Sequence, residues 1–513
     1  MVFDTLGFPV IDAQGRVTFH AGLKSASGAS IANYSGIWSE GSGTLTKVAR
    51  AGEQAFGAPA GVNYQTFQPP AVSATGHLAF GANLSGFGVV DRVNDEGIWT
   101  GFSDSLSMVM RLGDQAPGAP PGAKFNKLDY QYPNGFLPNN SGELVFGSAL
   151  VGSGVDSSND SGMWLYRGGS LDLVTREGDP APGQPSGVFL SQTSNVFLNA
   201  AGSVAFLGSL SGTGIDSSNN IAIWKRTSDS LDLVVQSGDS DSSTEDDVIF
   251  SNLAGLGLSR TGETAFRGTL QGTGITSKNN VGIWLEEFES LTLIAREGDR
   301  APGMPEGEVF GSLQFQHIES NSVGQVAFGS FTTSSNGIWA GGPGALILVV
   351  RVGEHAPGTP EGVGFRNFIG RSPALNNAGH IAFAATLMDS GGVNPRGSGI
   401  WAQDRNGLVR LIAFEGDEFE IAPGDTRTVR SLSFVGEAIA DLASAGRSTL
   451  AIDRRSTSSA FNDASQFAFK ATFDDGSQGI FVSSFAAIPE PNSLWLGASI
   501  AAGLLVRRSR PRH

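Results

Sequence analysis

Residues 198–210 read LNAAGSVAFLGSL, and the same phrase returns along the chain with few letters changed. It appears as VIDAQGRVTFHAGL near the N-terminus, then as VSATGHLAFGANL and PNNSGELVFGSAL. Later come LSRTGETAFRGTL, SNSVGQVAFGSF, LNNAGHIAFAATL and FNDASQFAFKATF. The closing aromatic is Phe19, Phe80, Phe146, Phe206, Phe266, Phe328, Phe383 and Phe469. Recurrence at a spacing near 60 residues marks a repeat architecture.

Three further landmarks accompany each copy. Gly-Ile-Trp or a close variant follows, with Trp38, Trp99, Trp164, Trp224, Trp284, Trp339 and Trp401; the eighth copy ends in Phe481. Next comes a strand-like run closed by a turn, as in LDLVTREGDPAPG (171–183) and LTLIAREGDRAPG (291–303). A looser aromatic stretch such as GVFLSQTSNVFLN precedes the next copy. Each unit therefore reads as four short strands separated by Gly, Asn, Asp and Pro turns. No part of it carries a sustained 3.6-residue period, so helices are not expected there.

Four strands per repeat, about eight times over, is the arithmetic of a β-propeller. The expected fold is all-β, an eight-bladed propeller with seven as the other count and a β-solenoid as the alternative. Alternation supports blades: in HLAFGANL, Leu78, Phe80, Ala82 and Leu84 face one way and His77, Ala79, Gly81 and Asn83 the other. One bulky and one small face let sheets stack on both sides. The opening VFDTLGFPV aligns with the fourth strand of a repeat, so an N-terminal strand is expected to complete the last blade. The repeat domain spans 1–485, with an insertion at 436–459.

The 71 glycines follow no triplet, which excludes collagen. Net charge is −16, which disfavours nucleic acid. The chain has no cysteine, which removes disulfides, thiolate metal sites and cysteine nucleophiles together. The first ten residues lack a basic segment and an apolar run, so no signal peptide is visible.

Residues 486–491 form a linker containing Pro489, Glu490 and Pro491. An uncharged run, NSLWLGASIAAGLLV (492–506), follows, expected as a hydrophobic helix, and then an Arg-rich tail (507–513) with Arg507, Arg508, Arg510 and Arg512. This tripartite end resembles the PEP-CTERM sorting signal of Gram-negative bacteria, whose tail is a substrate of a membrane sorting protease, exosortase. The resemblance implies export, a transient inner-membrane anchor and delivery to the cell surface or extracellular matrix. It also implies a leader, so the start at Met1 is expected to be internal to the natural gene. The Asn-x-x-Gly-x-x-Ala-Phe phrase in tandem resembles the NxxGxxAF-repeat proteins, a family that implies no catalytic activity. Here Asp12, Ser73 and Ser259 replace the asparagine and Ser465 the glycine, substitutions that suit a turn.

No GxSxG elbow, HExxH or P-loop occurs. His77 and His380 follow the repeat glycine, where Arg16, Glu143, Ser203, Glu263 and Gln325 stand in other copies. The position reads either as a polar ring in a channel or as a tolerant slot at a strand start. Arg50, Arg111, Arg176, Arg296 and Arg351 precede turns that carry Asp114, Asp179, Asp239, Asp299 and Asp417 in various copies, which reads as structural Arg–Asp pairing. The loops GSGVDSSND (152–160), GTGIDSSNN (212–220) and GTGITSKNN (272–280) offer oxygen ligands for Ca²⁺ in Asp156, Asn159, Asp160, Asp216, Asn219 and Asn220. Self-bonded Asx turns explain the same letters, and Thr276 and Lys278 break the third copy.

The expected function is that of an exported, non-enzymatic surface or matrix scaffold that binds a glycan, extracellular polysaccharide or surface protein. A propeller-type polysaccharide hydrolase or lyase and a purely structural matrix component are the alternatives.

Overall fold

The computed structural model describes residues 2–483 apart from 25–32, 129–137, 228–229, 241–246, 289, 314–317, 322, 390–394, 435–436 and 439–459. Most of the 436–459 insertion, the Pro-Glu-Pro linker, the expected helix at 492–506 and the arginine tail lie outside the described residues. No helix long and apolar enough to cross a membrane occurs among the described residues.

Eight antiparallel sheets follow one another along the chain, each a meander of neighbouring strands. The protein is an all-β, eight-bladed propeller. Blade 4 is representative, with strands Val188–Leu198, Val204–Gly212, Ile221–Thr227 and Ser230–Gln236 paired in that order. The aromatic stretch that closes each sequence repeat is thus the first strand of the next blade. Sequence repeat and blade are out of phase by one strand.

That phase corrects the expectation for the N-terminus. Phe3–Leu6 pairs with Val17–Leu23 inside the first blade and does not complete the last one. The eighth sheet instead runs Glu418–Ala422, Asp425–Phe434, Phe467–Phe473, Gln478–Ser483. It gains a leading hairpin and has, among the described residues, no strand beyond Gln478–Ser483.

Phe and Trp of the repeat face each other across the second and third strands, as Phe206 does Trp224. The rings stack with centroids 6.0–6.4 Å apart and interplanar angles of 16–24° in blades 1, 3, 5, 6 and 7. A third ring from the first strand stands edge-on to the tryptophan, for example Phe250 on Trp284 at 5.0 Å. Six of the seven repeat tryptophans have a glycine two residues before them, where space is tight: a Cβ on Gly282 would lie 2.6 Å from the indole of Trp284. Blade 4 carries Ala222 there, and its Phe206–Trp224 stack closes to 5.7 Å.

Phe206, Val204 and Leu210 pack with Val145, Met163 and Leu165 of blade 3. Ala205 and Ile223, on the opposite face, pack with Phe250, Phe266 and Trp284 of blade 5. Large therefore meets small from blade to blade, as the alternation predicts. Each fully buried aromatic contributes roughly 2–3 kcal/mol of transfer free energy.

The chain divides into two compact units. One comprises Met1–Phe87, Gly101–Ser107 and Val352–His513, and holds blades 7, 8 and 1 with the first two strands of blade 2. The other comprises Gly88–Thr100 and Met108–Arg351, and holds blades 3 to 6.

Within the first unit, blade 8 joins blade 1 without strand exchange. Ala468 and Ile480 share a core with Phe19, Leu23 and Trp38. The Leu6 amide donates to Gln478 Oε1 at 3.0 Å, and Lys470 Nζ donates to the Leu6 carbonyl at 3.1 Å. Asn462 Nδ2 donates to the Asp12 carbonyl at 2.9 Å across 450 residues of sequence.

That last contact belongs to a series. Asn139 Nδ2 donates to the Asn199 carbonyl, Asn199 Nδ2 to Ser259, and Asn376 Nδ2 to Asn462. The repeat asparagine therefore ties its blade to the next. Its Oδ1 also accepts two amides of its own turn, Ala201 and Ser203 in the case of Asn199. Asp12, Ser73 and Ser259 reproduce the turn half, accepting amides at Arg16, His77 and Glu263. They lack an amide donor, so the latch is lost at those positions.

Asn462→Ser should keep the turn and remove the latch between the last and first blades. The expected cost is about 1 kcal/mol, for one lost hydrogen bond to a carbonyl that keeps the Gly15 amide as its other donor. Chemical denaturation checks it, and an unchanged midpoint would sink the latch.

Candidate functional site

The polar residue after the repeat glycine folds back onto the turn. Arg16 Nε pairs with Asp12 Oδ2 at 2.5 Å, and Glu143 accepts from Asn139 and from Arg167 Nε at 2.6 Å. Ser259 and Thr261 donate to Glu263, and Asn321 donates to Gln325. His77 bonds Thr75 and lies 4.1 Å from the Phe102 ring, while His380 Nδ1 bonds Ser465 Oγ at 2.9 Å. Burial pushes both imidazoles below their ordinary value. These positions brace the turn into the second strand. Ser203, in the same slot, donates its amide to Asn199.

The glycine before them sits at positive φ in blades 1 to 7, at +82° for Gly202. Ser465 adopts φ +57° in the eighth turn, a strained value for a residue with a Cβ. Its hydroxyl bond to His380 holds it there.

The recurring arginines have a different partner from the one expected. Arg50, Arg111, Arg176 and Arg296 donate Nε to the carbonyls of Asn33, Asn94, Asn159 and Asn279, at 2.7–2.9 Å. Each clamps the end of the loop between the second and third strands of its own blade. The turn aspartates lie close enough for Coulombic attraction at Asp114, Asp179 and Asp299, and no side-chain bond to an arginine forms there. Burial dominates and pushes Asp114, Asp179, Asp239, Asp299 and Asp417 upward. A raised carboxyl binds its proton more tightly folded than unfolded. These groups therefore favour the fold at pH below their unfolded value and weaken it as pH rises through the folded one.

The loops proposed for calcium are exposed Asx turns. Asp156 Oδ1 accepts from the Ser158 amide and hydroxyl, and Asn159 Oδ1 accepts from the Asp156 amide. Asp216, Ser218 and Asn219 repeat this pattern. These bonds hold Asp156 and Asp216 below the usual carboxylate range. In the third loop Thr276 Oγ1 takes the place of the aspartate and accepts from the Lys278 amide. Asp160 and Asn220 contribute carbonyls, which accept from Leu150 and Leu210. The same turn forms without a carboxylate, so turn geometry accounts for these residues. No group of three or more His, Cys, Asp or Glu placed to hold a metal occurs among the described residues.

Where, then, do the copies differ on an accessible surface? Basic residues after the repeat Phe do not qualify. His20 bonds Ser35 Oγ, and burial lowers both His20 and Lys470.

The first strands do. Each carries two consecutive residues between two inward side chains: Phe3-Asp-Thr-Leu6, Tyr64-Gln-Thr-Phe67, Phe125-Asn-Lys-Leu128 and Leu190-Ser-Gln-Thr193. Blades 5 to 8 read Phe250-Ser-Asn-Leu253, Phe310-Gly-Ser-Leu313, Phe365-Arg-Asn-Phe368 and Val429-Arg-Ser-Leu432. A plain strand cannot turn residues three apart to one face. A register shift at this point supplies the extra residue in every blade. The bulge turns the pair outward. The apolar frame repeats while the pair varies among acidic, neutral and basic. Period-two reading hides this, although the Φ-x-x-Φ spacing is visible in the sequence once the bulge is known.

In the first unit the pairs carry Asp4, Arg366 and Arg430; in the second they carry Lys127. Each first strand closes one end of its sheet in blades 1 to 7, leaving an edge with no further strand among the described residues.

The model of a family of unknown function, DUF7453, matches residues 1–336 and again 329–495. The chain belongs to that family. No curated protein matches it in sequence. Among solved structures, this DUF7453 chain is similar to the β-propeller domain of the trilobed protease from Pyrococcus furiosus, described as having an open velcro topology. That match has TM-score 0.35, 9% identity, and covers 81% of this chain and 99% of that one. It is also similar to polysaccharide lyase Uly1, with TM-score 0.37, 11% identity, and coverage of 75% and 86%. The acylaminoacyl peptidase of Pyrococcus horikoshii matches with TM-score 0.38 and 10% identity over 81% of this chain and 53% of the peptidase. Likeness at this level bears on the fold alone.

Proposed function

We propose that this DUF7453 protein is a non-enzymatic binding scaffold of the cell surface or extracellular matrix, with an extracellular polysaccharide or surface protein as its partner. One observation carries the reading: a recurring inward-facing frame, apolar except at Thr193, presents a different outward pair on the first strand of each blade. The repeated His, Arg, Asp and Glu side chains are engaged in turns and clamps, which supports a scaffold in preference to a hydrolase or lyase. Export and processing by an exosortase-type protease rest on Pro489, Glu490, Pro491, Arg507, Arg508 and Arg510. The uncharged run at 492–506 would supply the transient membrane anchor.

Two measurements test this. Purified protein incubated with extracellular polysaccharides should sediment with at least one polymer and leave its chain length unchanged. Chain shortening would replace the scaffold with a hydrolase or lyase. Cells that express the chain without residues 486–513 should no longer place it on their surface; unaltered placement would remove the sorting role.

A further inference from the structure

Seven blades close their outer edge and the eighth does not. In blades 1 to 7 a fourth strand pairs with the third, among them Ser170–Arg176, Ser230–Gln236, Ser290–Arg296 and Val409–Phe414. Among the described residues, blade 8 stops at its third strand, Gln478–Ser483. Phe481 there stands opposite Phe469 as Trp224 stands opposite Phe206 in blade 4. The positions on either side, Ile480 and Val482, correspond to Ile223 and Lys225, which meet Val235 and Asp232 of a fourth strand.

Antiparallel alternation shows where their backbone groups point. Ala468 is the Cα partner of Val482, yet its amide donates to the Ala460 carbonyl at 2.8 Å. Val482 and Ile480 therefore turn N–H and C=O away from Phe467–Phe473, toward the place of the missing strand. The register of this pair is unbroken, and QGIFVS carries no charge and no proline. Bulges, charges and prolines are the devices that keep a foreign strand off an edge. Ile480 and Phe481 are buried, at 1% and 6% exposure, so the edge offers main-chain groups and not an apolar patch.

The rest of the chain shows what fits such an edge. Fourth strands read SLSMVMR (105–111), SLDLVTR (170–176), SLDLVVQ (230–236) and SLTLIAR (290–296). Leu231 and Leu233 pack against the core that holds Trp224, while Asp232 between them is exposed. In blades 1 to 7 this strand begins after a link of two to six residues. Residues 484–491, SFAAIPEP, hold no such frame at that spacing. Leu494 and Leu496 repeat the frame, in the run assigned above to the membrane. Blade 8 is latched to blade 7 through Asn376 and to blade 1 through Asn462, and it ends one strand short of both. That step admits a single extended segment and holds back the rim of a second propeller.

We propose that the outer edge of blade 8 is a strand-addition site, which takes an extended Leu-x-Leu segment of a partner polypeptide as its fourth strand. This rests on the scaffold reading above and names a polypeptide as the partner.

The test uses the full chain and the labelled peptide SLDLVVQSG, the sequence of residues 230–238, followed by fluorescence anisotropy. Binding should saturate. The Asp232→Pro peptide lacks the N–H that would meet Val482 and should bind about tenfold or more weakly. Val482→Pro in the protein removes the facing N–H, which no described strand uses, and should weaken the parent peptide to a similar extent. A melting curve matching wild type shows that this variant folds; if it does not, the peptide variant carries the test. Absence of saturable binding overturns the site, as does equal affinity for the two peptides or undiminished binding by folded Val482→Pro. Binding only to the chain without residues 486–513 assigns the edge to the chain's own tail and overturns the partner. None of these outcomes alters the polysaccharide sedimentation described above, so the scaffold reading is decided separately.

Discussion

Trp339→Ala should destabilise the protein by about 3–5 kcal/mol, the range for emptying a buried aromatic site. Trp339 is fully buried. Its ring stacks on Phe328 at 6.2 Å and meets Phe310 edge-on at 5.0 Å. It packs with Ile283 and Leu285 of the preceding blade, so the cavity opens between blades, where backbone cannot easily close in. The indole also serves as a donor, with Nε1 bonded to the Pro302 carbonyl at 2.9 Å. Trp164, Trp224 and Trp401 make the same bond to Pro117, Pro182 and Pro357. It pins the Ala-Pro-Gly loop that leads into each first strand.

Trp339→Phe separates the two contributions. Most of the stack survives, and the loss should be about 1–2 kcal/mol, dominated by the missing donor. Blade 8 shows how the fold compensates when the indole is absent. Phe481 stands in the tryptophan position, and the hairpin beginning at Glu418 brings Phe419 edge-on to it at 5.1 Å. Denaturant unfolding followed by tryptophan fluorescence measures both variants. An alanine variant as stable as the phenylalanine variant would mean that the stack is not what holds the blade.

The repeat aromatics also mark what could be read from sequence. Phe206 and Trp224 announce themselves by repetition, and Ala205 by its small size, so the blade-on-blade packing was legible, while the ring stack between Phe206 and Trp224 needed the strand register. The blade boundary was not legible. The landmarks that repeat most strictly lie on the second and third strands, while the first strand is recognisable only by its Φ-x-x-Φ frame. Asn199 was legible as a turn residue because Oδ1 bonds are local. Its Nδ2 bond to Ser259 spans 60 residues and needs the neighbouring blade in place. The arginine series misled for a related reason: Arg176 has a nearby aspartate in sequence, and its acceptor is a carbonyl 17 residues earlier. Local turn chemistry shows in a sequence. Partners supplied by the stacking of blades do not.

Lys225 and Glu286 make the same point energetically. Lys225 Nζ lies 2.9 and 2.7 Å from the two carboxylate oxygens of Glu286, with side chains only 18% and 7% exposed. They stand on the third strands of blades 4 and 5, at Ile221–Thr227 and Val281–Glu287. No other blade pair combines these residues at that register, so repetition gave no hint of the bridge. Lys225→Met should cost about 3–5 kcal/mol, because it leaves a carboxylate at a buried interface without its cation. Glu286→Leu should cost a comparable amount for the converse reason. The double variant, Lys225→Met with Glu286→Leu, should recover most of the loss, since two apolar side chains fill the same interface with no charge to desolvate. A double-mutant cycle by denaturant unfolding reads the coupling directly. Additive losses would show that each side chain is stabilised by its own surroundings, and that the bridge does not join blade 4 to blade 5. Strong coupling, insensitive to salt because the pair is largely shielded from water, would make it the principal electrostatic tie in the second unit.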